Sequence, residues 1–399
     1  MDKKTLVSLF FTYVDKHFKY AILHHVEEVF SDNKDIDFVI DCNNKNELLD
    51  LIRSFLNENH YVHLFNFYPI DRNNYRIDLV YINNIIAVLE LDICIINNRK
   101  DLLSTNTLDI LNNRVLINCN NGQKLYCSNP EDEIFHYIKK KALKKQKIIK
   151  HIDYFMKLTP TLKKTEILEI YKNQKKYYNS IQFKIKFSLN KAWLLFNRIS
   201  NKSMFSISIL GPDGSGKSTI INLLKKTKLP FRETMYFHLK PIKSQGVKAQ
   251  INNPHGKPNY NAFISNIKLV YLFFQYNFGW LVNILPLKIK SSLVIFDRYY
   301  DDLFVDAKRY RFAGSVMIAQ WIRKLIPKPY IYFVLTASSE LIYDRKKEVP
   351  FHELENQIKG YNDLSCNDNF YILDASKSPD NICYEIICII TKHISKRYS

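Results

Sequence analysis

The sequence lacks the cysteine patterns that bind metals or build disulfide frameworks. Its seven cysteines, among 399 residues, form no C-x-x-C pair and no zinc spacing, so buried free thiols in a reducing compartment are expected. The apolar residues near the start are interrupted by Asp15 and Lys16 after a short run, which is not the pattern of a secretory signal. These absences predict a cytoplasmic protein.

Long uncharged runs are also scarce. The run that comes near the length of a bilayer-spanning helix is 269–287, "LVYLFFQYNFGWLVNILPL". It contains Gln275, Asn277, Asn283 and Pro286, and it lies between two motifs of one predicted domain. We therefore expect a buried or partly interfacial helix in place of a membrane span, and peripheral membrane contact stays open.

Acidic residues are rare in one segment of the chain. Residues 139–202 carry 18 Lys and Arg against three Asp and Glu, and so account for +15 of the net charge of +19. The segment has helical apolar spacing with Pro160 as its one break, which predicts a basic helical connector. Three interpretations of its charge stay open: a solvated face, a surface for nucleic acid, or a surface for an anionic membrane.

A phosphate-binding loop is the clearest motif that the sequence does contain. The stretch "SISILGPDGSGKSTIINLLKK" fits G-x-x-x-x-G-K-[ST], with a predicted strand over 205–210 and a predicted helix over 219–226. In this pattern backbone N–H groups and the helix N-terminus hold phosphates, Lys217 neutralises them, and the Ser218 hydroxyl is placed to ligate Mg²⁺. The predicted cofactor-binding residues are Gly211, Asp213, Gly214, Ser215, Gly216, Lys217, Ser218 and Thr219.

Short β-rich runs follow the loop, separated by segments of helix length. They are "TMYFHL" (234–239), "LVIFD" (293–297), "YIYFVL" (330–335) and "FYIL" (370–373). This alternation is typical of an α/β fold with a parallel sheet. Because ligands collect at the carboxyl ends of parallel strands, Asp297 is predicted to hold Mg²⁺ or its waters and Arg298 to bind a phosphate.

These residues carry a resemblance to a known family. "GPDGSGKST", "FDRYYDD", "YFVLTASSELIYDRKKE" and "YILDASKSPDNI" together resemble the thymidylate kinase family of P-loop nucleoside monophosphate kinases, over the C-terminal half. The resemblance implies ATP bound by the loop with Mg²⁺, and Asp297 and Arg298 at the acceptor phosphate. It also implies Arg345, Lys346 and Lys347 as a short cationic lid. The predicted catalytic residues are Lys217, Asp297, Arg298 and Arg345.

One part of that family's pattern is missing. Family members that phosphorylate dTMP carry an Arg-Glu-Pro-Gly-like segment after the second strand, and here His238, Lys240, His255 and Lys257 stand in that region. Two arginines follow the Asp-Arg element and complete a cluster that could hold an acceptor: Arg309 and Arg311. The variant resembles thymidylate-kinase-like proteins of bacterial surface-polysaccharide clusters. The acceptor therefore stays open among a nucleotide, a sugar and a sugar phosphate.

The front half contains a pair of carboxylates. "SDNKDIDFVID" places Asp35 and Asp37 two residues apart on a predicted strand, so both point to one face and form a candidate divalent-ion site. The later hairpin "YRIDLVYINNIIAVLELDICII" offers Asp78 or Asp92 as a third acid. With a two-residue turn, residue 78 pairs with 89 and residue 75 with 92. Asp78 and Asp92 are then predicted to face opposite ways.

The front half also carries a resemblance. The order of the D-x-D pair, the hairpin and "CSNPEDEIFHYIKKKALKK" resembles the nucleotidyltransferase superfamily over residues 20–150. The resemblance implies Asp92 as the third metal ligand beside Asp35 and Asp37. The Gly-Ser element that precedes the first acid in that superfamily is absent here. An active transferase, a degenerate recognition domain and a chance acidic strand remain alternatives.

The sequence thus predicts three parts. They are an α+β nucleotidyltransferase-like domain over 1–150, a basic helical connector over 151–202, and a P-loop kinase domain with a parallel sheet flanked by helices over 203–399. The predicted function is transfer of a phosphoryl group from ATP, with Mg²⁺, to a small-molecule acceptor. The alternatives are a nucleic-acid end-repair kinase, although no K-x-D-G ligase nucleophile occurs in the chain, and a non-catalytic ATP-dependent switch.

Overall fold

The computed structural model describes most of the chain and divides it into two compact units. The units are Met1–Asn201 with Thr391–Ser399, and Lys202–Ile390. The division of the sequence into three domains stays a prediction. His255 and Lys257, singled out from the sequence, lie outside the described residues. The described residues are 2–23, 29–31, 35–96, 106–119, 121–148, 152–159, 162–200, 204–242 and 258–398.

The first unit is built on a mixed seven-stranded sheet. Its strands are β1 (Tyr20–Ile22), β2 (Ile36–Ile40), β3 (Val62–Pro69), β4 (Asn74–Asn83), β5 (Ile85–Ile95), β6 (Val115–Asn118) and β7 (Lys124–Cys127). Their order is β3-β4-β5-β2-β1-β7-β6. The two central strands, β2 and β5, pair in parallel and set Asp37 opposite Asp92. The candidate metal ligands therefore meet in the middle of the sheet.

Among the described residues, four helices accompany this sheet: α1 (Lys3–His17), α2 (Lys45–Glu58), α3 (Thr107–Asn112) and α4 (Pro130–Leu143). Side chains cap several of them; the Asp2 carboxylate, for example, accepts a hydrogen bond of 2.9 Å from the Thr5 backbone N–H at the start of α1. Phe10 of α1 packs edge-on against Phe38 of β2 and Phe55 of α2. This aromatic cluster anchors α1 and α2 on the sheet.

The hairpin of β4 and β5 turns over one residue, Asn84, which has φ of 58°. Asn adopts this left-handed conformation more readily than most residues with a side chain. Asp78 therefore pairs with Glu90, and Arg76 with Asp92. The prediction that Asp78 and Asp92 face opposite ways was wrong, because a turn with one residue fewer shifts the pairing by one and reverses the relative facing of the two strands.

The described part of the basic segment is helical. It forms α5 (Ile152–Leu158), α6 (Lys164–Asn179) and α7 (Ile181–Ser200). Apolar side chains of this segment pack with those of α4; the buried members of the cluster are Ile134, Ile138, Ile148, Ile152 and Ile167. Phe183 of α7 is also buried, beside Tyr178 of α6 and Ala142 of α4. Burial of one face of each helix thus holds the basic segment on the first unit.

The second unit contains a parallel five-stranded sheet. Its strands are β8 (Phe205–Leu210), β9 (Glu233–His238), β10 (Ser292–Asp297), β11 (Ile331–Thr336) and β12 (Phe370–Asp374). Their order is β12-β11-β8-β10-β9, and every neighbouring pair is parallel. The predicted α/β fold with a parallel sheet is confirmed here. The carboxyl ends of β8 and β10 lie side by side, which is where a doubly wound fold binds ligands.

Helices lie between these strands, and one more follows the last strand. They are α8 (Lys217–Lys226), α9 (Ala262–Gly279), α10 (Asp302–Val305), α11 (Val316–Leu325), α12 (Ser339–Arg345), α13 (Phe351–Leu364) and α14 (Pro379–Ser395), with a π turn over Trp280–Ile284 and a 3₁₀ turn over Leu285–Ile289. α9 buries Leu269, Leu272 and Tyr276, and leaves Phe274 and Phe278 exposed. Within the described part of the chain, no helix is long and apolar enough to cross a membrane.

Candidate active site

The loop from β8 to α8 depends on three glycines with positive φ. Gly211, Gly214 and Gly216 have φ of 139°, 88° and 91°, which residues with a Cβ rarely adopt. A Cβ on Gly211 would also overlap the Leu335 carbonyl oxygen, and one on Gly214 would lie 3.0 Å from the Lys346 Cβ. Glycine therefore stands where the backbone folds tightly against its neighbours, and we call this loop the glycine cradle.

One buried hydroxyl of this loop is unsatisfied within the described part of the chain, and two hydroxyls at the start of α8 face solvent. Among the described residues, the buried Ser215 Oγ has no hydrogen-bond partner, and Ser218 and Thr219 are exposed. α8 begins at Lys217, so its first N–H groups have no partner within the helix and carry the positive end of its dipole. These donors at one helix start fit a phosphate chain better than they fit the protein alone.

Lys217 is turned back onto the loop. Its ammonium donates to the Gly211 and Pro212 carbonyl oxygens, at 2.8 and 2.7 Å, and the residue is 8% exposed. Burial, together with the positive charge of Arg298, lowers the pKa of Lys217 to about 7. An incoming anion favours the charged lysine, so the side chain is suited to bind phosphate.

Arg298 follows β10 directly and is almost fully buried at 4% exposure, with φ of 66°. Its guanidinium donates to Asp213 of the loop at 2.5 Å and to Asp302 at 3.2 Å. Arg309 also pairs with Asp213. Although burial opposes it, Arg298 and Arg309 hold the pKa of Asp213 well below its usual range. The loop is thus fastened to the end of β10 by a carboxylate between two guanidinium groups.

A second layer of side chains fixes this network. Asp302 accepts from the hydroxyls of Tyr310, at 2.8 Å, and Tyr361, and Asp306 accepts from Arg309 at 3.0 Å. The sequence analysis singled out Arg309 as part of a possible acceptor cluster, but it assigned no role to Asp302, Asp306, Tyr310 or Tyr361. Asp302 stands four residues after Arg298 in "FDRYYDD", but Arg298 lies before the helix that begins at Asp302 and has positive φ, so helical spacing did not predict their contact. Tyr361 lies on α13, far from Arg298 in the sequence, and no local sequence pattern predicted that the two residues would be close.

Asp297 closes β10 beside the end of β9. Its carboxylate accepts from the Tyr236 hydroxyl at 3.0 Å and lies 3.4 Å from Nδ1 of His238, its direct partner across the two strands. Burial opposes ionisation, but the hydrogen bond from His238 and the charges of His238, Lys217 and Arg298 lower the pKa of Asp297. The site therefore places an ionised carboxylate at the same sheet edge as Lys217 and Arg298.

The predicted cationic lid begins at Arg345, the last residue of α12, and its three side chains contact different partners. Arg345 donates to the Ala375 carbonyl oxygen at 2.9 Å. Lys346 lies against Gly214 and pairs with Glu348 at 3.0 Å. Lys347 lies over the Tyr343 ring, with its nitrogen 5.7 Å from the ring centroid. Lys346 is thus the member of the predicted lid that packs on the phosphate loop.

A second candidate site lies in the first unit, where three carboxylates converge. Asp35, Asp37 and Asp92 each offer an oxygen, and these oxygens lie within 4.8 Å of one another. Asp37 and Asp92 are brought together by the parallel pairing of β2 and β5, and Asp35 directly precedes β2. Three carboxylates at this separation repel one another, so a cation is needed to balance them.

Two cations of the protein contact this cluster. Arg76 donates to Asp35 at 3.2 Å and to Asp92 at 3.0 Å, and Lys140 pairs with Asp37. The sequence analysis included neither residue. With a one-residue turn, the cross-strand partner of Asp92 is Arg76, so the error in the turn length also concealed this guanidinium.

Arg76 also contacts two further carboxylates. Its Nε lies 2.7 Å from Asp78, which also accepts from Asn66, and its Nη2 lies 2.7 Å from Glu90. Burial raises the pKa of Asp78 to about 7 and that of Asp92 to about 6, against the opposing charge of Arg76. Burial and the crowding of negative charge thus act together here, and the cluster has more acid than its two cations neutralise.

Comparison with known proteins covers about half of the chain. No protein-family model matches it. "Probable thymidylate kinase 1" of Saccharolobus solfataricus is 31% identical over 215 residues, which cover 47% of this chain and 97% of the relative. Thymidylate kinase structures from Candida albicans and Ehrlichia chaffeensis are each 16% identical, with TM-scores of 0.36 and 0.30. They cover 48% and 47% of this chain, and 93% and 98% of their own.

Proposed function

Because the chain belongs to the thymidylate kinase family, we propose that its second unit transfers the γ-phosphoryl group of ATP to a nucleotide, a sugar or a sugar phosphate. The protein is a phosphotransferase that uses ATP with Mg²⁺, as this family does. The observation that carries the proposal is the glycine cradle between β8 and α8, with the buried Lys217 ammonium turned into it.

The loop residues fit the triphosphate of ATP. The unpartnered Ser215 hydroxyl, the first N–H groups of α8 and the Lys217 ammonium supply donors for phosphate oxygens. Ser218 and Asp297 are proposed to hold Mg²⁺, which neutralises phosphate charge when it is bound. Lys217 exchanges its two carbonyl contacts for phosphate oxygens, so its positive charge is placed where negative charge develops during transfer.

For Arg298 the contacts support a role other than the one predicted from the sequence. A guanidinium that is 4% exposed and bonded to Asp213 and Asp302 has little surface left for an acceptor. We therefore assign it a positioning role, in which it holds the phosphate loop through Asp213. Its direct contact with an acceptor phosphate stays a prediction.

The acceptor is proposed to approach the ends of β9 and β10. The Asp297 carboxylate, the Tyr236 hydroxyl and the largely exposed His238 side chain lie together there. This set offers both donors and acceptors, which suits the hydroxyl and phosphate groups of the three acceptor classes. Lys346, packed on Gly214, is proposed to add positive charge beside the phosphoryl group during transfer, and Arg345 to support it.

The direct test uses the purified full chain with γ-labelled ATP and Mg²⁺. Separate pools of nucleoside monophosphates, free sugars and sugar phosphates are supplied as acceptors. We expect label in the product of one pool and none when a chelator removes Mg²⁺. ATP binding without transfer to any pool would contradict the proposal and favour the ATP-dependent switch. Transfer to the 5′ end of an oligonucleotide alone would favour the end-repair kinase.

For the first unit we propose a nucleotidyltransferase-like role that is separate from the kinase. The convergence of Asp35, Asp37 and Asp92 within 4.8 Å favours it. In such a reaction an acceptor hydroxyl attacks the α-phosphate of a nucleoside triphosphate, the nucleotidyl group is transferred, and pyrophosphate leaves. The test supplies α-labelled nucleoside triphosphates to the full chain with Mg²⁺ or Mn²⁺. Labelled product that disappears in Asp37→Asn supports the proposal, and its absence in the wild type favours a recognition domain.

A further inference from the structure

An exposed apolar stripe runs along α7, the last helix of the basic segment. Ile181, Ile185, Leu189 and Phe196 are 76, 57, 64 and 72% exposed. At about 100° per residue, these four positions fall within about 80° of one another around the helix. Phe183, on the opposite side, is buried. α7 therefore has two apolar faces, of which one packs on the first unit and the other meets solvent.

Lysines border the exposed stripe on both sides. Lys184 and Lys191 stand along one border and Lys186 along the other, each within about 80° of the nearest apolar position. All three are exposed. α7 has no Asp or Glu. The face is therefore an apolar stripe with two lysines along one border and one lysine along the other, and α7 itself contributes no carboxylate beside them.

We propose that this basic apolar face, formed by Ile181, Ile185, Leu189 and Phe196 with their bordering lysines, binds an anionic lipid surface. The helix lies in the plane of the interface, with its apolar stripe at the boundary of headgroups and acyl chains. The lysine stems extend along the apolar surface and bring the ammonium groups to anionic headgroups. This inference is independent of the proposed phosphoryl transfer, because it uses none of the residues of that site.

The charge and the aliphatic character of this face disfavour two other partners, a second copy of the chain and a nucleic acid. If two copies of the chain packed α7 against α7, the lysines that border the two stripes would approach one another, and neither helix has a carboxylate to pair with them. A nucleic acid would use the lysines and could stack a base on Phe196, but the other three residues of the stripe are aliphatic and offer it neither a hydrogen-bond donor nor a ring. An anionic bilayer uses both the lysines and the aliphatic stripe.

The test measures binding of the full chain to vesicles by flotation. Vesicles of phosphatidylcholine alone are compared with vesicles that contain about 30% phosphatidylserine. We expect binding to the anionic vesicles only, and release at about 1 M salt, where the Debye length falls to about 3 Å. Equal binding to both vesicles, or binding to neither, would overturn the proposal.

Lysine variants test the charge. Each lysine near an anionic surface contributes about fivefold, so Lys184→Gln, Lys186→Gln and Lys191→Gln together are expected to weaken binding about a hundredfold. The control removes the same charge from three exposed lysines of the second unit: Lys324→Gln, Lys328→Gln and Lys359→Gln. We expect the control to bind within a few fold of the wild type. Equal weakening by both triple variants would show that total charge matters and would contradict a defined face.

Apolar variants test the stripe with a closely matched control. Ile185→Gln with Leu189→Gln is expected to weaken vesicle binding at least about tenfold, because apolar area no longer leaves water. The control is Ile85→Gln with Leu108→Gln, which changes the same residue types at 55 and 52% exposure elsewhere on the first unit. Glutamine is a good helix former, so α7 should persist, and an unchanged melting temperature verifies this. Equal binding by the two double variants would overturn the proposal.

The competing partners give distinct results with the same proteins. Salt-sensitive binding of an oligonucleotide that falls in the lysine variant, without any vesicle binding, would assign the face to nucleic acid and overturn the lipid proposal. Concentration-dependent self-association that is lost in Ile185→Gln with Leu189→Gln, again without vesicle binding, would assign it to a second copy of the chain.

Discussion

The two candidate sites of this protein differ in how closely their charged side chains are paired with opposite charges of the protein. In the second unit, the Lys217 ammonium donates to two neutral carbonyl oxygens of the loop and lies 3.9 Å from the Asp213 carboxylate, which Arg298 and Arg309 already bind more closely. We therefore expect Lys217 to turn readily to an anion. In the first unit, the carboxylates of Asp37 and Asp92 already pair with Lys140 and Arg76. A divalent ion at that cluster would compete with cations that the protein itself supplies.

The difference shows what a motif specifies. The phosphate loop combines residue types with a backbone that only glycine allows, and its neighbours are placed to match. An acidic pair on a strand specifies only that two carboxylates share a face. Whether such a pair binds a metal or an internal cation depends on residues that are distant in the sequence, such as Lys140. The predictions below test this contrast.

The largest effect is expected from Lys217→Ala. It removes the ammonium that we assign to the phosphate oxygens, and loss of one such preorganised donor costs on the order of a thousandfold in rate. The measurement is the turnover of the labelled acceptor by a protein whose melting temperature is unchanged. Lys226→Ala, which removes an exposed lysine from the other end of α8, is the control and should leave turnover unchanged. Normal turnover in Lys217→Ala would refute the kinase site.

The next effect is expected from Arg76→Met, which removes a guanidinium from among four carboxylates. Loss of one partner of a buried ion pair typically costs about 3 kcal/mol, so the free energy of unfolding should fall by that order. At the same time Mg²⁺ or Mn²⁺ should stabilise the variant more than the wild type, since the ion then takes the place of the lost charge. The melting temperature, with and without metal, measures both. A variant that gains no stabilisation from metal would show that the cluster does not bind an ion even when this cation is removed.

A smaller effect is expected from two glycine substitutions that separate backbone strain from crowding. Gly122 and Gly211 both have positive φ, but a Cβ on Gly122 meets nothing within 4 Å, whereas one on Gly211 overlaps the Leu335 carbonyl. Gly122→Ala should cost about 1 kcal/mol of unfolding free energy, and Gly211→Ala distinctly more. Gly211→Ala should also weaken ATP binding, measured by calorimetry. Equal costs for the two variants would show that the loop yields easily and is not a fixed cradle.

The smallest effect is a metal-dependent shift in the melting temperature of the full chain. If Asp35, Asp37 and Asp92 bind an ion, Mn²⁺ should raise the temperature by a few degrees through mass action. Asp37→Asn and Asp92→Asn should each remove most of that shift. Asp78→Asn is the matched control, because Asp78 lies in the same network but bonds to Asn66 and Arg76. A shift that depends on Asp78 and not on Asp92 would show that the third ligand was chosen wrongly.

The sequence was sufficient for the elements of the second unit. The strand before the loop was predicted at 205–210 and lies there, and the four later β-rich runs all became strands. These runs are short, apolar and bounded by turn residues, so local pattern determines them. The contacts of Arg298 were not predictable in the same way, because they depend on where Asp213, Asp302 and Tyr361 meet in space.

The hairpin of the first unit shows where local pattern fails. The sequence indicated a turn at Asn83-Asn84, and the turn is there, but with one residue between the strands instead of two. Because successive side chains of a strand point to opposite faces, a turn that is shorter by one residue reverses which residues of the two strands share a face along the whole hairpin. The choice of Asp92 therefore depended on the resemblance, and the pairing of β2 with β5 now gives a structural reason for it.

Arg298 combines two demands that favour different amino acids. Its φ of 66° is a conformation that costs most residues roughly 1–2 kcal/mol and costs glycine almost nothing. Its guanidinium, however, joins the phosphate loop to Asp302, which glycine cannot do. A glycine here would relieve the main chain but would lose both ion pairs of the guanidinium. We expect arginine to persist here only in descendants that still need the loop held in place.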